Sequence, residues 1–381
     1  MKELVRVWKG EYRKIFADKG VLMIFFGAVF FYSIFYPIPY SNEVLKNVPV
    51  AVVDLDHSSM SRKLAMMVDA QESTSVAARP ESQHEAERLF FERKIHGILV
   101  IPHDFEHKIQ RKEQAAVAVY SDASYLMIYQ QVMTGIAGAA GTLSAGIEIK
   151  RMQGGGLTEA QAKEARDPLP LVSVALFNPS GGYASYVVPA VLVMVLQQTL
   201  LIGIGMLGGT AREDREPTAC APHAASGNAI SRVLGKTAAY LSIYLFNAAY
   251  YFVVLPRLYR LPQRVDPLAL ALLVLPFLLA VIFLGLAIST LFRQRETSML
   301  VLICTSLPSL FLAGFSWPKE SIPTWLRAIS YLLPTTAGTD GLLRINQMGA
   351  SLQDVRFDWF VLWGLAALYF FLACALKRRI R

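Results

Sequence analysis

The stretch Val233-Leu234-Gly235-Lys236-Thr237 ends like a phosphate-binding loop, and it is the first place in this chain to look for nucleotide chemistry. Such a loop needs the spacing G-x-x-x-x-G-K-[ST], because glycines let backbone N–H groups curl around the phosphates while the lysine reaches them. Ile230 stands where the first glycine is required, and the apolar run AAYLSIYLFNAAYYFVVL follows directly. The motif is read as accidental, and no cofactor is expected on this chain. His103 and His107, in PHDFEHKIQ, have the spacing that puts two imidazoles on one helical face. No further ligand stands nearby, so a solvated helix face is expected there and no metal site. Asp54, Asp56 and His57, in DLDHSSMSR, read as a turn and N-cap cluster at a strand end. Neither G-x-S-x-G nor H-E-x-x-H occurs, and Cys220, Cys304 and Cys374 have no metal-ligand or disulfide spacing. No catalytic residue is expected.

Composition dictates the elements that carry these residues. The 381-residue chain is 54% hydrophobic and 17% charged, against about 25% charged in soluble domains. A bilayer core about 30 Å thick takes about 20 mostly apolar residues in a helix. Six segments meet that length: 20–40, 183–207, 237–255, 268–291, 298–315 and 359–376. The first ends at Pro37 and Pro39 with no small-x-small cleavage site after it, so it reads as an uncleaved signal anchor. Residues 1–19 precede it as an amphipathic interfacial helix. Leu4, Trp8, Tyr12, Ile15 and Phe16 fall at helical spacing, and six lysines and arginines fill the other faces. Such a helix lies in the headgroup layer, its cations drawn to anionic membrane lipids. A basic N-terminus and the C-terminal KRRIR (377–381) place both termini in the cytoplasm, with Arg257, Arg260 and Arg264 dissenting on the outside.

Between the first and second spans, 41–182 has the mixed charge of a soluble domain. Short β-branched runs at 49–56, 96–102 and 115–122 read as strands, and 58–70 and 81–94 carry helical spacing. That alternation predicts an α/β domain. The stretch 123–147 is uncharged and rich in Gly, Ala, Ser and Thr. A long helix packed within the external domain is expected, because a seventh span would put one basic terminus outside. The fold class is therefore an α-helical polytopic membrane protein with six transmembrane helices and an α/β extracytoplasmic domain inserted between helices 1 and 2.

Two stretches carry the functional expectation. The loop after the second span reads GGTAREDREPT and holds Arg212, Glu213 and Glu216; a tight turn, FRQRET, holds Arg293, Arg295 and Glu296. Alternating charges there suit docking on a soluble partner, or an ordinary solvated loop. After the fifth span, 316–349 follows Gly314 and Phe315 and meets Pro318, Pro323, Trp325 and Pro334. It is too apolar for a plain external loop and too broken to span, which predicts a re-entrant hairpin of two short helices.

The segment GFSWPKESIPTWLRAISYLLPTTAGTDGL, with VAVVDLDHSSMSRKL, VIPHDF, VYSDAS and LFNPSGGYASYVVP in that order, resembles the membrane subunit of type-2 ATP-binding-cassette exporters, in the bacterial branch with a large domain after the first span. The family's first cytoplasmic loop usually reads R-E-x-E-x-G-T; here Arg212-Glu213 and Glu216 match, and Pro217-Thr218 departs from it. The resemblance implies a permease of the bacterial inner membrane that pairs with itself or a similar permease and docks separate ATPase subunits, which hold the ATP and Mg. It implies coupling through Arg212, Glu213, Glu216, Arg293 and Glu296, and a gate segment from Gly314 to Pro334. An amphipathic drug, lipid or glycan is the implied cargo, with a periplasmic adaptor as a further partner and no nucleic acid. An ATPase-independent scaffold of a secretion or envelope assembly system stays open beside this reading. An ion-driven carrier fits less well: Gln197, Gln198 and Asn247 are the most polar groups within the spans, and no ionisable group lies deep in them.

Overall fold

Trp8, Tyr12 and Ile15 recur every three or four residues, and Lys2–Ala17 is a helix with that stripe turned onto the apolar core, while Phe16 stays exposed. The computed structural model, which describes residues 2–40, 42–179, 181–214 and 229–379, divides into two compact units. Residues 44–174 form one, and the segments on either side of them form the other. The inserted unit is shorter than the 41–182 expected. Glu43 belongs to the helical unit, where its carboxylate accepts hydrogen bonds from Ser185 N (3.2 Å) and Ser185 Oγ (2.8 Å).

The helical unit is built around Tyr183–Glu213, a helix apolar on every side and almost wholly buried. The first span Lys19–Tyr40, Ala229–Leu258, Pro267–Ile288 and Arg356–Arg378 are also long and apolar enough to cross a bilayer. Two of them contain wide π-helical turns, at Met23–Ala28 and Tyr250–Val254. Such turns loosen the backbone ladder, and side chains from the neighbouring helix take up the carbonyls. Asn247 Nδ2 donates to the Phe25 carbonyl (2.9 Å) and Tyr251 OH to that of Val29 (2.8 Å). The polar Asn247 read from the sequence is thus a lock between two spans. Two of the dissenting arginines are tied to backbone: Arg257 Nη1 donates to the Val253 carbonyl (3.1 Å), and Arg264 N to that of Asn346 (3.0 Å).

The expected fifth span, 298–315, needs correction. It is two shorter helices, Arg295–Cys304 and Ser306–Leu312, meeting at Thr305. Pro308 has no N–H to give the Cys304 carbonyl, and its ring crowds that turn. Together 295–312 reach about 27 Å at 1.5 Å per residue, just short of a bilayer core. A second correction concerns the loop after residue 207: the helix runs on to Glu213 before the chain passes outside the described residues at 215–228.

The inserted unit is a four-stranded sheet of β1 (Val48–Asp54), β2 (Thr74–Ala78), β3 (Gly97–Ile101) and β4 (Ala118–Ser121), in the order β2-β1-β3-β4. The β1 pairs are parallel and β3–β4 is antiparallel. Alternate residues of β1 enter two cores, as a strand's pleat requires. Val50 and Val52 pack with Leu64, Val68, Ile136 and Ala139; Ala51 and Val53 pack with Ala86 and Ile95. Helices Ser59–Asp69 and Leu126–Gly154 contribute to the first core and Gln83–Phe91 to the second. Leu126–Gly154 is itself long and apolar enough to cross a membrane. Its stripe of Val132, Gly135, Ile136, Ala139 and Leu143 is nevertheless buried inside this unit. Asp54 and Asp56 hold the loops at one end of the sheet. Asp54 accepts from the backbone N of Asp56 and His57 (3.1 and 3.0 Å), and Asp56 caps helix Phe105–Gln110 through Phe105 N (2.9 Å) and Glu106 N (3.1 Å).

Candidate functional site

Asp18 ends the N-terminal helix and opens the first span. Its Oδ1 accepts from Gly20 N (3.0 Å) and Val21 N (3.1 Å), satisfying donors that a helix start leaves open. The same carboxylate takes a two-pronged bond from Arg295, Nη1 to Oδ2 at 2.6 Å and Nη2 to Oδ1 at 2.7 Å. A planar guanidinium matches a carboxylate edge in this way, which fixes orientation as well as distance. Arg295 also starts a helix, and its backbone N donates to Glu213 Oε1 at 2.9 Å. Three segments far apart in sequence thus meet at one joint. Gly209 permits it, because a Cβ there would stand 2.7 Å from Arg295 N and 2.8 Å from its Cα. Burial opposes ionisation of Asp18, but Arg295 and the two backbone donors outweigh it and hold the carboxyl below its ordinary value.

A second tie joins the N-terminal helix to the helix that carries the G-K-T triplet. Lys236 Nζ lies 2.8 Å from Glu11 Oε1, and Tyr240 OH donates to the same oxygen. Glu11 is only 3% exposed. Burial disfavours its charge, yet Lys236 and Tyr240 together draw its carboxyl below the ordinary value. Gly235 lets the two helices touch, since a Cβ there would meet Val7 Cβ at 2.8 Å and the Leu4 carbonyl at 2.9 Å. Thr237 Oγ1 donates to the Val233 carbonyl at 2.9 Å. Each residue of the triplet therefore has a structural task inside a helix, and no loop is there to cradle phosphates.

Of the residues singled out for coupling, Glu213 enters the joint, Arg212 stands beside it on the same helix end, and Glu216 lies outside the described residues. Arg293 and Glu296 are exposed and flank Arg295 without entering the joint. Asp18 was missed by sequence reading. Its signal was the acid directly before an apolar helical run, the spacing of an N-cap.

At the other end of the unit, Gly314 takes a left-handed backbone (φ +84°) as the chain leaves helix Ser306–Leu312. The Phe315 carbonyl accepts from Tyr186 OH. Pro318 precedes a short 3₁₀ turn, Lys319–Ser321; Pro323 precedes helix Thr324–Ser330, on which Trp325 is exposed; and Pro334 is the first residue of helix Pro334–Met348. The two helices are unequal, and the second is largely buried among the spans. Thr336 Oγ1 donates to the Ser330 carbonyl (2.7 Å), closing the hairpin, and Gln197 Nε2 to Thr335 Oγ1 (3.2 Å) anchors it to the central helix. Lys319 Nζ lies 3.2 Å from Asp340, holding the turn against the second helix. Among the described residues no group of His, Cys, Asp and Glu is placed to hold a metal ion.

A family model described as "ABC-2 family transporter protein" matches residues 19–375. The probable multidrug ABC transporter permease YbhS of Escherichia coli K12 is 26% identical over 246 residues, covering 63% of this chain and 61% of that protein. The probable multidrug ABC transporter permease YbhR of the same organism is 24% identical over 189 residues, half of each chain. The chain thus spans about half to three-fifths of the length of the curated relatives it matches.

Proposed function

This chain belongs to the ABC-2 family of transporter proteins, and from that premise we propose that it is the permease subunit of an exporter driven by separate ATP-binding-cassette subunits. It sits in a bacterial inner membrane with both termini cytoplasmic, pairs with a second copy or a similar permease, and moves an amphipathic substrate outward. The names of its relatives, which call them multidrug permeases, favour a drug-like cargo. The inserted α/β unit lies on the outer side and offers a surface to a periplasmic adaptor. The ATP and Mg belong to the ATPase partners.

One observation carries the mechanism: Glu213, Arg295 and Asp18 join the ends of three membrane segments in a single polar joint. An ATPase subunit docked beyond Glu213 displaces that helix end when it closes on ATP. The displacement passes to Arg295 through its backbone N–H, and through the guanidinium to Asp18, the cap of the first span. Charge-assisted bonds of this kind are each worth about 1.5–3 kcal/mol, enough to move helix ends together. The hairpin of 316–349 is the gate at the opposite end, held shut by Thr336, Thr335 and Lys319.

The test is co-purification from native membranes in mild detergent, followed by ATP hydrolysis after reconstitution. An ATPase subunit is expected to accompany the chain. Glu213→Ala with Glu216→Ala should retain the partner and lose substrate-stimulated hydrolysis by about tenfold, the loss of about 1.4 kcal/mol in coupling. Full activity in that variant moves coupling elsewhere. Absence of any ATPase, even after crosslinking, overturns the exporter and leaves an envelope scaffold.

A further inference from the structure

Beside the coupling joint lies a cavity of about 340 Å³ whose charged lining is mostly cationic: Lys14, Arg212, Arg232, Lys236 and Lys377 face it, with Glu11 as the single carboxylate among the described residues. Glu11 is already engaged by Lys236 and Tyr240. Among the described residues, Lys14, Arg212, Arg232 and Lys377 have no ion-pair partner. The Nε of Arg232 is sealed from solvent and has no hydrogen-bond acceptor. A buried charged donor left unmatched is costly, and four like charges around one small space add mutual repulsion. Both costs fall away if an anion with several acceptor oxygens occupies the cavity. A phosphodiester meets that requirement, since guanidinium and ammonium groups grip it through charge-assisted bonds.

We propose that this cavity binds the phosphate headgroup of an anionic phospholipid. The setting selects a lipid over a free phosphate. The cavity stands at the charged ends of the spans, where headgroups lie, and one wall is the amphipathic N-terminal helix. Val7 and Ala211 line the same cavity beside the cations, so part of its wall is apolar. These offer acyl chains a surface beside the bound headgroup. A lipid held there braces the N-terminal helix against 229–258 and 356–379, next to the helix end that carries Glu213. The proposal rests on the membrane assignment and not on ATPase pairing, so it is tested on the permease alone.

The full-length chain is delipidated in mild detergent and titrated with dioleoyl phosphatidylglycerol, dioleoyl phosphatidylcholine or inorganic phosphate. Bound lipid is read by native mass spectrometry and thermal stability in parallel. Phosphatidylglycerol should be retained roughly tenfold better than phosphatidylcholine, the preference that one to two unscreened cations supply. Arg232→Gln with Lys377→Gln should bring the two lipids to parity, with elution and melting in phosphatidylcholine unchanged. Arg232→Lys, which keeps the charge, should keep the preference and guards against a misfolded double variant. Equal retention of both lipids by the wild type, or an undiminished preference in the double variant, overturns the site. Stabilisation by millimolar phosphate equal to that by phosphatidylglycerol overturns the lipid as its occupant.

Discussion

Glu11 holds a charge in a nearly closed space because Lys236 and Tyr240 share one of its oxygens, so its protonation is linked to the docking of the N-terminal helix. Its carboxyl is held below the ordinary value of 4.5 in the docked state. A group with a depressed folded-state pKa stabilises the fold above its ordinary value and loses that contribution as pH falls through the depressed one. The helix is therefore expected to stay docked from neutrality down to about pH 4.5 and to loosen below it, as Asp18, whose carboxyl is depressed likewise, begins to lose its bond to Arg295. Trp8, half-buried on the same helix, reports this when the other four tryptophans are replaced. Its emission should shift red on acidification in the wild type, and the shift should shrink in Glu11→Gln, where the Glu11 contribution is already gone. An identical acid transition in both proteins would assign the effect to Asp18 alone.

Helices approach one another here as closely as their smallest residues allow, and among the described glycines Gly209 is the one that another segment's backbone approaches most closely. A methyl group at that position meets the backbone of Gln294 and Arg295 rather than a side chain that can turn away. Gly209→Ala should therefore cost about 1–3 kcal/mol by overpacking and separate Glu213 from Arg295 N. Gly10→Ala faces open space and should be neutral or gain up to about 1 kcal/mol from helix propensity. Melting temperatures of the two variants in one detergent decide the matter, and a silent Gly209→Ala would mean the contact can relax. The same closeness explains what the sequence could and could not reveal. Elements buried on every side, such as the span from 183 and β1, were legible because such burial demands an unbroken apolar run. β2, Thr74–Ala78, was not read as a strand, being a short edge strand of small and polar residues. The break at Thr305 was carried by Pro308, which length-and-hydropathy reasoning passes over. The joint between Asp18 and Arg295 spans 277 residues, and no local pattern announces such a pairing.

Topology of the chain turns on a long apolar helix whose inward stripe packs in the core of the inserted unit. Leu126–Gly154 meets the length and hydropathy of a span, yet its inward stripe completes the packing of β1 and β3. Pulling it into a bilayer would uncover Val50, Val52, Leu99 and Ile101, which are 0–1% exposed. At about 25 cal/mol per Å² of apolar surface, uncovering even part of that sheet face costs several kcal/mol. With this helix in the inserted unit and the broken 295–312 segment counted as a span, the chain crosses six times and both ends share one side. With the helix in the membrane it crosses seven times and the ends part. Residues 44–174 expressed alone should then be soluble and monomeric without detergent, with helix and strand signals in circular dichroism. Their partition into membranes, or aggregation relieved only by detergent, would make Leu126–Gly154 a span. In the full chain, a fluorescent-protein tag, which matures only in the cytoplasm, should glow at either terminus, and a dark C-terminal fusion beside a bright N-terminal one would point to seven crossings.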